Sequence, residues 1–335
     1  MKTKLYILLL SQLLSVIYIN NSLAQDIHFS QFYSTPLQVN PAKTGFITGD
    51  YRLAGSYRNQ WSSITIPYVT AAGSADLSFT AGKKKKDIFG TGIMIFNDKA
   101  GDSRFNTTYI GLTTAYHKTI DKYNNQFLSF GAMGAYCLSN INYEDLRWDE
   151  QYEGGILTEN FPIGINDYYD LSAGLEYNNL IDKYTNFTAG AAVYHLFKPN
   201  QTFNDDGTSR VFRKLVVNVG ANLGMGNKFS AYPKILFSKQ GPFNEIVVGY
   251  LQRYSLNYNY LNDYGIYLGA FMRWNDAFIF VTKLDLNKFT MGISYDINFS
   301  RLALVSHARG GPELSVLYTG NIPGFHKKKI FCPRF

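Results

Sequence analysis

The chain has 335 residues, a formal net charge of +7 and only 17% charged side chains, against the roughly 25% of soluble globular chains. Aromatic residues reach 16%, from 26 Tyr, 25 Phe and 3 Trp, while the mean hydropathy is −0.15, too polar for a bundle of membrane helices. These values exclude a disordered chain, a coiled coil and a helix bundle, and suit an all-β protein with one wet face and one apolar, aromatic face.

In chain order, residues 1–24 read as a signal peptide. Lys2 and Lys4 precede an apolar run from Leu5 to Ile19, and Ser22 and Ala24 put small residues at −3 and −1 of a cut before Gln25. The alternative is a membrane anchor of similar length, but the run falls short of the ~20 apolar residues such an anchor uses. Cleavage takes two lysines and no acid from +7, leaving +5. The excess gathers at Lys83–Lys86 and Lys327–Lys329; in an exported chain that is a turn or a partner-facing patch rather than a nucleic-acid footprint. Residues 25–50 contain Pro36 and Pro41 and fit no membrane strand, yet carry Ile27, Phe29, Phe32, Tyr33, Leu37 and Val39. Such a segment needs a surface or a lumen, so it is expected either as a periplasmic piece before the barrel or as a plug, ordered against the barrel.

From residue 51 the chain alternates. Phe289, Met291, Ile293, Tyr295, Ile297 and Phe299 interleave with Thr290, Gly292, Ser294, Asp296 and Asn298, and segments 69–80 and 170–178 repeat the pattern. Period-two alternation means strands with one apolar face. The polar faces are mostly small and uncharged, the segments run to about 10 residues, and aromatics cluster at their ends, as membrane strands require. In lipid only helices or a closed barrel satisfy every backbone group. The expected fold is therefore a transmembrane antiparallel β-barrel of about 14 strands, spanning 51–319, near 51–60, 68–80, 88–97, 107–119, 126–138, 168–178, 185–197, 210–223, 228–238, 243–251, 264–274, 276–285, 289–299 and 311–319. Segment 252–261 is a possible further pairing that would change the count by two.

With the N-terminus in the periplasm, connections 139–167, 198–209 and 300–309 face outward, and the turns at 81–87, 120–125, 179–184, 224–227 and 286–288 face the periplasm. Residues 320–335 form a periplasmic tail with Pro323, Pro333 and Lys327, Lys328 and Lys329. The longest outer loop gathers Glu144, Asp145, Asp149, Glu150 and Glu153 without the spacing of a calcium loop. These acids and the three tail lysines are candidate partner contacts; charge of that kind steers association.

No catalytic or metal motif stands out. His28, His117, His195, His307 and His326 are scattered, and neither a nucleophile elbow nor a phosphate loop occurs. His117 and His195 can face the lumen, where an Asp and a Ser nearby would imitate an outer-membrane phospholipase; generic lumenal polarity is the simpler account. Cys137 and Cys332 match no metal or redox spacing and are expected unpaired. No enzyme activity, cofactor or metal is expected.

Near the start, Asp26-Ile27-His28-Phe29-Ser30-Gln31-Phe32-Tyr33 is followed by Asn40-Pro41-Ala42-Lys43-Thr44-Gly45, then Tyr57-Arg58-Asn59-Gln60-Trp61 and Pro67. Later come Gly241-Pro242-Phe243, Tyr295-Asp296-Ile297-Asn298, Gly310-Gly311-Pro312-Glu313-Leu314-Ser315 and the terminal Cys332-Pro333-Arg334-Phe335. Together these resemble the PorP/SprF family of the bacterial type IX secretion system, with Lys43-Thr44 departing from the residues usual before the glycine. The resemblance implies a non-enzymatic outer-membrane component of the secretion and gliding-motility machinery. It implies adhesin-type cargo with a type B C-terminal domain, and a periplasmic partner, either a PorK/PorN-like ring lipoprotein or a peptidoglycan-binding protein. The alternative function is a porin or a FadL-like uptake barrel.

The motif residues also have a physical reading. Pro41 fixes its own φ and pushes Asn40 towards extended geometry, and Gly45 permits a left-handed residue. Arg58 and Gln60 share one strand face, Tyr57, Asn59 and Trp61 the other. Trp61 suits an aromatic girdle. Asn40, Pro41, Ala42, Gly45, Tyr57, Arg58, Gln60 and Trp61 are expected to shape and anchor the barrel rather than touch cargo.

Overall fold

The computed structural model describes residues 26–62, 66–81, 86–101, 104–142, 164–182, 185–203, 209–226, 228–256, 264–300 and 303–323. The proposed signal peptide, the acidic loop residues, Cys332 and the tail lysines lie outside the described residues.

Fourteen strands close on themselves: β1 (Tyr51–Gln60), β2 (Tyr68–Ala81), β3 (Asp87–Ala100), β4 (Phe105–Thr119), β5 (Gln126–Asn140), β6 (Ile165–Leu180), β7 (Asn186–Tyr194), β8 (Lys214–Met225), β9 (Phe229–Gln240), β10 (Phe243–Ser255), β11 (Tyr264–Arg273), β12 (Ala277–Leu286), β13 (Phe289–Asn298) and β14 (Arg309–Gly320). Each strand pairs antiparallel with its sequence neighbours, and β14 returns to β1 with Tyr51 opposite Gly320 and Arg58 opposite Glu313. Closure leaves no free edge at the β1–β14 seam; the β6–β7 ladder covers Ala173–Leu180, so the loop-end half of β6 extends beyond it. The alternation has the expected sense: on β13, Met291, Ile293, Tyr295 and Ile297 are exposed outside, while Ser294, Asp296 and Asn298 are buried inside.

Both strand termini of the barrel, Tyr51 and Gly320, lie at one end, called here the terminal end; the other is the loop end. Turns at the terminal end run from two residues, where Asn287 at φ 60° helps turn β12 into β13, to the longer β10–β11 connection at 256–263. The longest connections, β5–β6, β7–β8 and β13–β14, belong to the loop end, although Asn275 at φ 58° turns β11 into β12 there with almost no loop. β10 runs through Ser255, residues 257–261 lie outside the described residues, and the described strands number fourteen.

Residues 26–50 run inside the barrel. Asp26 sits at the loop end against Gln240, near the finish of β9, and Asp50 sits at the terminal end, its N–H donating to the Gly320 carbonyl at 2.8 Å. The described segment thus extends from one end of the barrel to the other. It is built from short helical turns at Phe32–Ser34, Pro36–Val39 and Pro41–Lys43, which satisfy backbone groups locally where no strand partner is available.

This segment corrects one expectation. The inner barrel face is not polar all round: β8 to β12 turn Val216, Tyr232, Leu236, Val247, Leu251, Tyr267, Phe271, Ile279 and Val281 inward, packed with Phe32, Tyr33, Leu37 and Val39 of the plug. A water-filled lumen would penalise these side chains; a lumen filled by an apolar segment buries them.

Candidate functional site: the plug and its seats

Four sets of contacts hold the segment, from the terminal end upward. In the first, Arg52 of β1 meets Asp76 of β2 with two bonds, Nε to Oδ1 at 3.0 Å and Nη2 to Oδ2 at 2.9 Å, and Asp76 also accepts the Gly45 N–H at 2.7 Å. Gly45 has φ +72°, and a Cβ there would strike the backbone of Gly90 and the Leu77 carbonyl, so both the conformation and the space demand glycine. Beside it, Thr44 bonds Thr113 at 2.6 Å, and its carbonyl lies 2.7 Å from His117 Nε2. Because a carbonyl only accepts, Nε2 carries the proton, and Nδ1 accepts from Ser129 at 2.7 Å. His117 is thus a buried anchor with both ring nitrogens engaged. Phe46 packs on Phe127, Ile88 and Leu180.

The second set centres on Asn40. Its backbone is extended (φ −159°, ψ 120°), its side-chain oxygen caps the Pro41–Lys43 turn through the Ala42 N–H at 2.9 Å, and its amide donates to Leu175 O at 2.8 Å and Glu176 at 3.0 Å. Glu176 also pairs with Lys43 and accepts from Asn218 at 3.1 and 3.2 Å. Ala42 is fully buried, and a Cβ on Gly131 of the wall would overlap its backbone. Asn40, Pro41, Ala42 and Gly45 therefore shape the plug's fit to the wall.

The third set is the most charged. Glu313 of β14 accepts the backbone N–H groups of Ser30 (2.7 Å) and Gln31 (2.8 Å). Asp296 of β13 accepts the Ser30 hydroxyl and Arg58 Nη2, each at 2.7 Å. Arg58 also donates to the His28 carbonyl, and Arg273 to the Ser30 hydroxyl at 2.7 Å. Gln31 exchanges bonds with Ser294 and Ser315. Arg273 in turn pairs with Glu245 at 3.1 Å and Asp276 at 3.0 Å. Arg58, Asp296 and Glu313 are almost wholly buried, so each charge depends on its partners.

At the loop end, Asp26 exchanges two bonds with Gln240, its N–H donating at 2.8 Å and its Oδ1 accepting at 2.9 Å, and it pairs with His195 at 2.9 Å and Lys214 at 3.5 Å. His195, at φ 54° just past β7, reaches Asp170 with its other nitrogen at 3.0 Å. Burial pushes the His195 pKa down, but Asp26 and Asp170 outweigh it and raise it to about 10. Burial likewise opposes ionisation of Asp26, but His195, Lys214 and Gln240 hold its carboxyl well below the usual carboxylate range. Beside this cluster a cavity of about 260 Å³ remains between the plug, the walls of β3 to β6 and the β7–β8 connection with the strand ends beside it.

The other motif residues sit around the seam. Tyr57 is exposed on the outer face and Gln60 ends β1. Trp61 leaves the strand at φ 58° and sets its ring edge-on to Tyr68 at 4.7 Å. Cys137 is buried on the lumenal side and carries no disulfide. Asp76, Glu176, Arg52 and Arg273 were not singled out by sequence as plug seats. Their signal is an isolated charge at a lumenal position of an otherwise small or apolar strand, which membrane burial makes costly unless paired.

Over residues 21–318 the chain matches the family described as Type IX secretion system membrane protein PorP/SprF. The chain belongs to the PorP/SprF family. It is a membrane component of the type IX secretion system, and its closed fourteen-strand barrel belongs in the outer membrane. No curated protein matches the chain. Among solved structures, a TodX monoaromatic hydrocarbon channel carrying the deltaS2S3 mutation is similar at 10% identity and a TM-score of 0.49, over 85% of this chain and 94% of that one. BamA from Haemophilus ducreyi lacking POTRA domains 1–3 is similar at 11% identity and 0.44, over 81% and 70%. Both are outer-membrane barrels, and neither likeness is strong enough to bear on what this barrel does.

Proposed function

We propose that this PorP/SprF barrel is a plugged, non-enzymatic station of the type IX machinery. It holds exported adhesin-type proteins with a type B C-terminal domain at its loop end and couples them to periplasmic parts at its terminal end. The observation that carries the reading is residues 26–50, which run through the lumen from one mouth to the other and are tied at every level by buried polar contacts. A lumen filled in this way favours holding and coupling over porin-type diffusion. The loop end faces outward in this reading because it carries the longer connections, as in bacterial barrels generally.

Partner contact is assigned to the outer loops 139–167 and 198–209, with Glu144, Asp145, Asp149 and Glu150, and to the periplasmic tail 320–335, with Lys327, Lys328 and Lys329. The periplasmic partner is a PorK/PorN-like ring lipoprotein or a peptidoglycan-binding protein. Loops on a rigid scaffold commonly carry recognition. Deleting 144–160 is expected to release surface cargo while the barrel stays heat-modifiable on a gel; normal cargo retention in that deletion would refute the assignment. Solute diffusion through the purified barrel in liposomes tests the uptake alternative, and diffusion at porin rates would favour it.

A further inference from the structure

The plug leaves a cavity of about 260 Å³ at the loop end. An apolar cavity of about 150 Å³ already takes a benzene ring, so this one has room for a bicyclic group. Its walls are aromatic. Phe96 and Tyr109 stack with centroids 4.9 Å apart and planes 5° from parallel, and the Tyr109 hydroxyl is fixed by Asp170 at 3.1 Å. Tyr168, Phe105 and Phe212 complete the wall, and Phe105 meets Phe203 of the β7–β8 connection edge-on at 6.1 Å. Locked rings offer flat faces and edges to a further ring, an arrangement worth more than the area it buries.

Two further features narrow the ligand. Of the charges lining this space, Asp26, His195 and Lys214 are paired among themselves, Asp98 accepts from the Thr70 hydroxyl at 2.5 Å, and Arg210 is exposed to solvent, so the buried charges do not call for an ion. Gln38, on the plug, lines the cavity with a buried side-chain oxygen that has no hydrogen-bond donor among the described residues. A buried acceptor left alone is costly, and a ligand N–H or O–H would satisfy it.

We propose that this cavity is a binding site for a neutral, planar aromatic group bearing one hydrogen-bond donor, the chemistry of an indole or a phenol. A tryptophan or tyrosine side chain on a polypeptide seated at the loop end would supply it, and so would the free small molecule. The site goes beyond the secretion reading and does not rest on it, since binding is measured without cargo.

The test uses the full-length barrel in detergent micelles, with calorimetric titration of indole, N-methylindole, phenol, cyclohexanol and N-acetyl-tryptophanamide. Indole is expected to bind saturably, and N-methylindole about fivefold more weakly, the worth of one hydrogen bond. Cys137→Phe, which fills the cavity from the β5 wall, is expected to abolish saturable binding. Gln38→Leu is expected to keep indole binding but erase the difference between indole and N-methylindole, which keeps the proposal testable if Cys137→Phe fails to fold. Binding of the capped tryptophan amide supports the site with a polypeptide as source; binding of indole alone supports it with a small molecule as source. Absence of saturable binding, binding unchanged in a folded Cys137→Phe barrel, or cyclohexanol binding as well as phenol would each overturn the proposal.

Discussion

The plug meets two unlike walls. Towards β13, β14 and β1 it is held by charge and hydrogen bonds, through Asp296, Glu313, Arg58 and the backbone of Ser30 and Gln31. Towards β9 to β12, apart from Gln240 and Arg273 near the loop end, it is held by apolar packing, with Phe32 and Tyr33 edge to face and both rings against Phe271. The polar wall is directional, so it fixes where the plug sits along the barrel. The apolar wall is not directional and supplies cohesion. Losing one member of the polar wall strands its partners in a buried site, whereas the apolar wall loses only the area and volume removed.

The largest expected effect therefore comes from Arg58→Ala, which leaves Asp296 and Glu313 short of a cation. Urea unfolding in lipid vesicles should show a loss of about 3–5 kcal/mol. Arg58→Lys should recover only part of it, because an ammonium does not reproduce the guanidinium's fork between the His28 carbonyl and Asp296. Full recovery with lysine would mean that net charge alone holds the plug.

On the apolar side, Leu37→Ala removes a fully buried side chain and should cost about 3 kcal/mol. The plug is expected to keep its register, since its polar seats are intact, and cross-linking from position 27 to position 212, which line one cavity, should remain as efficient as in the parent. A shift of that cross-link would show that packing, not the seats, sets position.

How much of this was legible follows from the same division. The strands could be read because lipid enforces strict alternation, and the fourteen segments lie within a few residues of those expected. The apolar content of 25–50 announced a buried segment. Its seats were hidden, because Ser30 and Glu313 are 283 residues apart and Asn40 and Glu176 are 136 apart. No local pattern encodes such pairings. The apolar lumenal wall was hidden for a different reason. Around Ile246, Val247 and Val248 both strand faces are apolar, one for lipid and one for the plug, so alternation loses its contrast.

The smallest effect belongs to the loop-end anchor. Raised to about 10, the His195 pKa lies above its ordinary ~6.5. Its stabilising contribution is therefore complete below the ordinary value and is lost as pH rises through about 10. Asp26, held below its ordinary range, stays charged throughout that rise. A spin label at position 27 should gain mobility between about pH 9 and 11, and His195→Gln should remove the step. A step that persists in His195→Gln would place the titrating group elsewhere.

Arg58 and Glu313 face each other across the first and last strands, and the plug bonds to both. The seam that turns a sheet into a barrel is thus also the latch of the plug, so zipping that seam and seating residues 26–50 form one cooperative step. The strands it joins are farthest apart in sequence, and joining them carries the largest loop-closure cost of any pairing in the chain. The plug lowers that cost by meeting both sides at once, which makes it an internal template for circularisation. A chain lacking residues 26–50 should accordingly stall as an open, protease-sensitive sheet, and one that closes at the normal rate would show the template to be dispensable.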